Sequence, residues 1–373
     1  MEFFNFFGDE PIQLTANNSK DLNCLPKHPT YIMFIYRSCR YVATLGLLLV
    51  LSSTTIAATT PVETDEFKAQ KAKAEAGDTE AQLVIGSCYF SGVGAPEDTQ
   101  LGLSWLRKAA DQGHPKAQNM LGLIYMNGEG TARDPAKAVA WLKRAADQGN
   151  SEAQANLGLC FKKGDGVQQD MAQAIFWYRK SADQGNAMAQ GNLGICYAQG
   201  AGVEKNISEA MKWWKLAAES GWGESQVNLG LCSYNGQGTP KDFAQAVFWF
   251  NKAAEHGHPR AQHFLGLCYM KGEGVPVSKE KAFLWLGKAS DQGLDISHFV
   301  LGHMLIADAS VVSNPIKAYA YFKISAETVE QSRINVAKLE SAMSPADVAK
   351  GKEEAQRLQK DIAAKIAAKA AGK

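Results

Sequence analysis

From residue 78 onward the chain repeats two apolar patterns, each at the spacing of a helix face. In the first, Ala153, Leu157, Cys160 and Phe161 fall on one stripe. In the second, Ala138, Trp141 and Ala145 do the same. Glycine punctuates both. A G-x-G pair follows the first pattern, where glycine accepts the positive φ that ends a helix. A single glycine, as at Gly113, Gly149 and Gly185, closes the second.

The two patterns recur together every 36 residues. Trp105, Trp141, Trp177, Trp213, Trp249 and Trp285 keep this spacing, with Tyr321 in the seventh place. Gly86, Gly122, Gly158, Gly194, Gly230, Gly266 and Gly302 keep it too. Seven units follow without insertion: 78–113, 114–149, 150–185, 186–221, 222–257, 258–293 and 294–329. Asp98, Asp134, Asp170, Asn206, Asp242, Ser278 and Asn314 stand where the second helix of each unit should begin. All seven side chains can accept a hydrogen bond from a free first-turn N–H. A lone helix pair cannot bury its apolar face, so the units must stack into an all-α superhelical solenoid. Residues 65–76 predict a capping helix after a linker that starts at 59, and 330–373 predict one or two closing helices starting at Ser344-Pro345. The Ala/Lys-rich end, 361–373, is expected to fray.

The third unit carries E-A-Q-A-N-L-G-L-C-F-K-K-G-D-G-V from Glu152 to Val167, then D-M-A-Q-A-I-F-W-Y-R-K-S-A-D-Q-G from Asp170 to Gly185. This combination resembles the SEL-one-like repeat (SLR) family, relatives of tetratricopeptide repeats, of the bacterial exported type. The resemblance spans 252 residues. It implies a right-handed α/α superhelix whose concave face binds other proteins, as a scaffold or adaptor in envelope assembly or host contact. It also supplies a rival: a cell-wall-active hydrolase or binding protein, as proposed for the cysteine-rich branch. That branch staples its helices with two cysteines per unit, and the corresponding positions here read Ala-Gln and Ala-Ala.

The N-terminus has a different pattern. Arg37 and Arg40 precede an apolar stretch from Tyr41 to Leu51, and small residues follow to Ala58. This is the layout of a secretory signal, so 1–58 is read as extension plus signal, with Met33 as the expected true start. The protein is then periplasmic or secreted. The other reading of 41–58 is an inner-membrane anchor, although a span takes about 20 residues, and membrane contact is expected through this segment alone.

Composition adds exclusions. With 39 Lys plus Arg against 38 Asp plus Glu, the chain lacks the basic excess that phosphate neutralisation needs, so nucleic acid is not an expected partner. Cys88, Cys160, Cys196, Cys232 and Cys268 share one phase of the repeat. Equivalent residues on stacked helices lie roughly 8–10 Å apart, beyond the ~7 Å between Cα atoms that a disulfide spans. They are read as core. The G-x-G pairs lack the strand and lysine of a phosphate loop. His256, His258, His263, His298 and His303 cluster late, without the i, i+4 ligand spacing of a preorganised metal site. No catalytic set, cofactor or metal site is expected.

What stands out is a column of amides, Asn156, Asn192 and Asn228. They either tie helices together as part of the repeat or form a ladder that bonds an extended peptide. Asn119, Lys162, Gln199, Tyr234, His263 and Lys271 lie on the same helices, and the fold does not dictate them. They complete the expected protein- or peptide-binding set. An acidic column at 111, 147, 183, 219, 255, 291 and 327 opposes the helix dipole and is expected to cap the next unit's first helix.

Overall fold

The computed structural model describes residues 63–307 and 314–370. The signal, anchor and start-site expectations for 1–58 fall outside these residues. So do Asp308 and Ser310, where the seventh G-x-G pair is lost. Seventeen helices and no strands occur among the described residues. The chain divides into two compact units between Asn206 and Ile207.

In the first unit α1 (Asp65–Glu75) precedes three helix pairs: α2 (Thr79–Ser91) with α3 (Thr99–Asp111), α4 (Pro115–Asn127) with α5 (Pro135–Asp147), and α6 (Ser151–Lys163) with α7 (Met171–Ala182). Helix α8 (Ala187–Gln199) packs on α7. Capping by α1 rests on Phe67, which is buried and meets Tyr89 edge-on at 5.1 Å.

The second unit begins with α9 (Ile207–Glu219), which packs on α10 (Gly223–Asn235). Pairs follow: α10 with α11 (Phe243–Glu255), α12 (Pro259–Lys271) with α13 (Lys279–Ser290), and α14 (Asp295–Ala307) with α15 (Pro315–Ser325). Helices α16 (Glu330–Ala342) and α17 (Pro345–Ala370) close it.

Each pair crosses at the periodic glycine. A Cβ at Gly122 would lie 2.6 Å from Leu142, at Gly158 2.7 Å from Tyr178, and at Gly302 2.7 Å from Phe322. Hydrogen in place of a methyl group is therefore what lets a large second-helix side chain lie flat on the first helix. The expected second-helix caps are present: Asp98, Asp134, Asp170, Asp242, Ser278 and Asn314 each accept from the N–H three residues on, at 2.9–3.2 Å.

Two expectations are corrected. The acidic column does not cap the next helix. The residue three places after it does: Asp78, His114, Asn150, Asn186 and His258 accept from the first turn, while the acids lie exposed, Asp147 bonded to Lys143 at 2.9 Å and Glu255 to Asn251 at 2.7 Å. The cap must follow the glycine because an Ncap residue takes extended φ/ψ, and the acids still lie at the end of the preceding helix. Nor is the Ala/Lys-rich stretch frayed over its described residues, 361–370. Helix α17 continues to Ala370, with Ile362 buried, Ile366 against Gly293, and Lys365 paired with Asp291 at 2.8 Å.

Docking of α17 also explains why the series of pairs stops. Position 338 continues the glycine column, but it holds Lys338, so no second helix can cross α16 closely. A glycine instead appears in α17. A Cβ at Gly351 would meet Tyr319 at 2.6 Å, so α17 lies on α15.

Gly158→Ala should destabilise the first unit by about 1–3 kcal/mol, because overpacking against Tyr178 outweighs the helix-propensity gain. Gly287→Ala, where an added Cβ meets nothing within 4 Å, should stabilise by about 0.5–1 kcal/mol. Urea unfolding followed by circular dichroism measures both.

Candidate functional site

The first helices carry the columns that sequence reading marked for binding, and a buried amide relay holds these helices in place. Gln82, Gln118, Gln154, Gln190, Gln226 and Gln262 each donate Nε2 to the carbonyl eight residues back, Ala74, Ala110, Ala146, Ala182, Ala218 and Ala254, at 3.0–3.2 Å. Four of these glutamines accept at Oε1 from a second glutamine at the end of a second helix. Gln112 donates to Gln82 at 2.8 Å; Gln148 to Gln118, Gln184 to Gln154 and Gln292 to Gln262 do so at 2.7 Å. The relay satisfies carbonyls that a helix end leaves open; in four repeats the buried first-helix glutamine both donates and accepts, whereas Gln190 Oε1 is buried without a partner. Sequence reasoning missed it. The signal was there, in the Ala-Gln and Gln-Gly dipeptides recurring at 36.

Of the nine expected binding residues, Asn119, Asn156, Asn228, Tyr234 and His263 are buried, Lys162, Asn192 and Lys271 half-buried, and Gln199 exposed. The expected ladder does not run from Asn156 to Asn192. Asn156 donates to Asn119 Oδ1 on α4 at 3.0 Å, and Asn119 donates to Glu152 at 3.4 Å. Asn192 donates to Met188 O of its own helix at 3.0 Å. A nearer acceptor wins in each case: an amide one residue out of register for Asn156, a helix carbonyl one turn back for Asn192. In the second unit Tyr234 donates to Glu273 and accepts from Lys271. Burial, with Glu273 adding to it, holds that phenol protonated.

Glu80 and Glu224 anchor polar contacts near the start of α2 and α10. His114 accepts the Ala117 N–H at Nδ1, which leaves Nε2–H to donate to Glu80 at 2.8 Å. Glu224 meets His258 at 3.1 Å and Arg260 at 2.8 Å. Burial pushes the Glu224 carboxyl up, but His258 and Arg260 outweigh it and hold it at about 2.

The remaining histidines do not converge. His263 Nδ1 bonds Ser297 Oγ at 2.9 Å, His298 packs on Tyr321, and His303 Nε2 bonds Asn335 at 2.9 Å. Burial lowers His263 to about 4, helped by the Arg260 charge. It lowers His303 to about 4 as well, helped by Lys338. Among the described residues no group of three or more His, Cys, Asp or Glu is placed to hold a metal ion. The five cysteines are free and buried; burial pushes Cys88 up to about 11 and Cys160, Cys232 and Cys268 up to about 12. Such thiols are poor nucleophiles at neutral pH.

With repeat, caps and relay in view, comparison with known proteins is decisive. A family profile described as Sel1 repeat matches 79–114, 115–150, 151–186, 187–222, 223–258, 259–294 and 296–327. The chain belongs to the Sel1 repeat family. Sel1 repeat proteins generally bind other proteins and generally work as non-enzymatic scaffolds. A protective antigen of uropathogenic Escherichia coli displaying an SLR fold is 34% identical, with a TM-score of 0.66; the match covers 80% of this chain and 64% of the antigen. A Sel1 repeat protein from Oxalobacter formigenes is 31% identical, with a TM-score of 0.60, over 65% of this chain and 96% of its own. No curated protein matches.

The depressed histidines set a pH dependence. Between pH 6.5 and about 4 the unfolded chain binds protons that the folded second unit refuses, so stability falls as pH falls through that window. His263 alone accounts for on the order of 3 kcal/mol at most. Urea midpoints at pH 7 and pH 4.5 should show the loss, and His263→Gln should flatten it. Glu224 acts lower: between pH 4.5 and about 2 the unfolded carboxylate takes up a proton that the folded one refuses, so its contribution to stability is lost across that window.

Proposed function

We propose that the protein is an exported scaffold that binds partner proteins or peptides along the first-helix faces of its repeats. The observation that carries this is the contrast between frame and face. Glycine crossings, caps and glutamine relay repeat nearly unchanged, while the first-helix column at Glu80, Lys116, Glu152, Met188, Glu224, Arg260 and Ile296 changes charge and size at every step. Neighbouring half-buried positions in the first unit, such as Met120, Asn192 and Ile195, vary in the same way. A regular frame with an irregular accessible face suits recognition of one extended surface.

Export rests on the sequence around Arg37, Arg40 and the apolar stretch to Leu51. An envelope or host-contact role accords with the similarity to the protective antigen of uropathogenic E. coli. This chain spans 64% of that antigen.

A photo-crosslinking residue at Gln199 or Asn192 should capture discrete proteins in cells, and Asn192→Ala with Asn228→Ala should reduce capture without loss of helicity. Capture unchanged by that double variant removes the amides from the binding face. Edman sequencing of the mature protein should start at or near residue 58 or 59. A start at Met1 would remove the export reading.

A further inference from the structure

Helix α6 ends with a charge placed where its neighbours are apolar. The column reads Phe90, Met126, Lys162, Ala198, Tyr234, Met270 and Ile306, so Lys162 is its only cation. The side chain is half-buried. Desolvation lowers the affinity of its amine for a proton, and Lys163 adds a like charge beside it. No carboxylate lies within ion-pair distance of Lys162 among the described residues. Its electrostatic neighbour on α8 is the Cys196 thiol, which burial keeps neutral.

The repeat register shows what is missing. In the second unit Tyr234 bonds Glu273, which lies 39 residues on at the centre of the following G-x-G turn. The same offset pairs Phe90 with Glu129, Met126 with Asp165, and Lys162 with Ala201. Asp165 is itself engaged by Arg133 at 3.7 Å. By this register the one cation of the column has an alanine in the position where three other repeats carry an acid. A half-buried ammonium without a counter-ion is costly to the fold, and a carboxylate entering beside Ala201 would remove that cost.

We propose that Lys162 is the recognition point for an acidic side chain, Asp or Glu, of a protein partner laid along the first-helix face of the first unit. The incoming carboxylate occupies the place that Glu273 holds in the second unit. Lys163 and Gln199, both exposed, stand at its rim. The inference rests on the scaffold reading above and names the chemistry of the ligand that reading leaves open.

Phage-displayed random peptides panned against the full chain provide the test. The wild type should enrich Asp and Glu over the input library. Ala201→Glu supplies the carboxylate in cis, in the geometry of Glu273, and should abolish that enrichment. It should also melt at or above the wild type. Lys162→Glu should switch the enriched residues to Lys and Arg; Lys162→Met, which carries the residue of α4, replaces it if the charge reversal fails to fold. A synthetic peptide from the wild-type selection should bind Ala201→Glu at least tenfold more weakly, and amidating its C-terminus should change nothing. Equal enrichment of non-acidic peptides by all variants overturns the proposal and leaves the scaffold reading standing. Enrichment of nothing overturns both, and loss of binding on amidation overturns the side-chain assignment.

Discussion

Everything in this structure depends on how closely two helices cross at one glycine. Within each pair a Leu, Tyr or Phe of the second helix occupies the space that a Cβ on the first would take, under 3 Å away. That contact fixes the depth and register of the pair at once, because neither side chain nor backbone has room to slide. The Ala pairs of the second helices are likewise buried, at 109–110, 145–146 and 253–254. The series ends where the constraint is broken, at Lys338 on α16. It is replaced by a different close approach, Gly351 of α17 on Tyr319.

Close crossings bury the ends of helices, and buried helix ends leave carbonyls that must be satisfied. First-helix glutamines answer that need in six of the repeats, and in four of them the amide both donates and accepts. They lie on the side of each first helix turned toward the preceding second helix. Elsewhere on the first helices Lys162 and Asn192 are half-buried and Gln199 is exposed, while Glu80 and Glu224 bond residues at the start of the following repeat.

Titratable groups divide along the same line. Those the frame absorbs are kept neutral: the cysteines, His263 and His303 sit in apolar surroundings that refuse a charge. Those on the first-helix face include Glu224, paired with His258 and Arg260, and Lys162, which has no counter-ion among the described residues. A scaffold that spent its charges on its own cohesion would have fewer left for a partner.

The sequence by itself determined the repeat length, the number of units, both helices of each pair and their second-helix caps. Trp, Gly and Asp at a strict 36-residue spacing encode local geometry, and local geometry needs no knowledge of what lies far away. The thiols could likewise be assigned to the core from their phase alone. Tertiary structure decided what depended on distances between residues far apart in the chain. It placed Asn156 on Asn119 rather than on Asn192, moved first-helix capping from the acidic column to the residue after the glycine, and docked the Ala/Lys-rich end of α17 against 291–293. It also turned two unremarked glutamine columns into the relay. A side chain's partner is set by which acceptor is nearest once the helices have crossed, and the crossing is an outcome of packing that spacing along the chain does not contain.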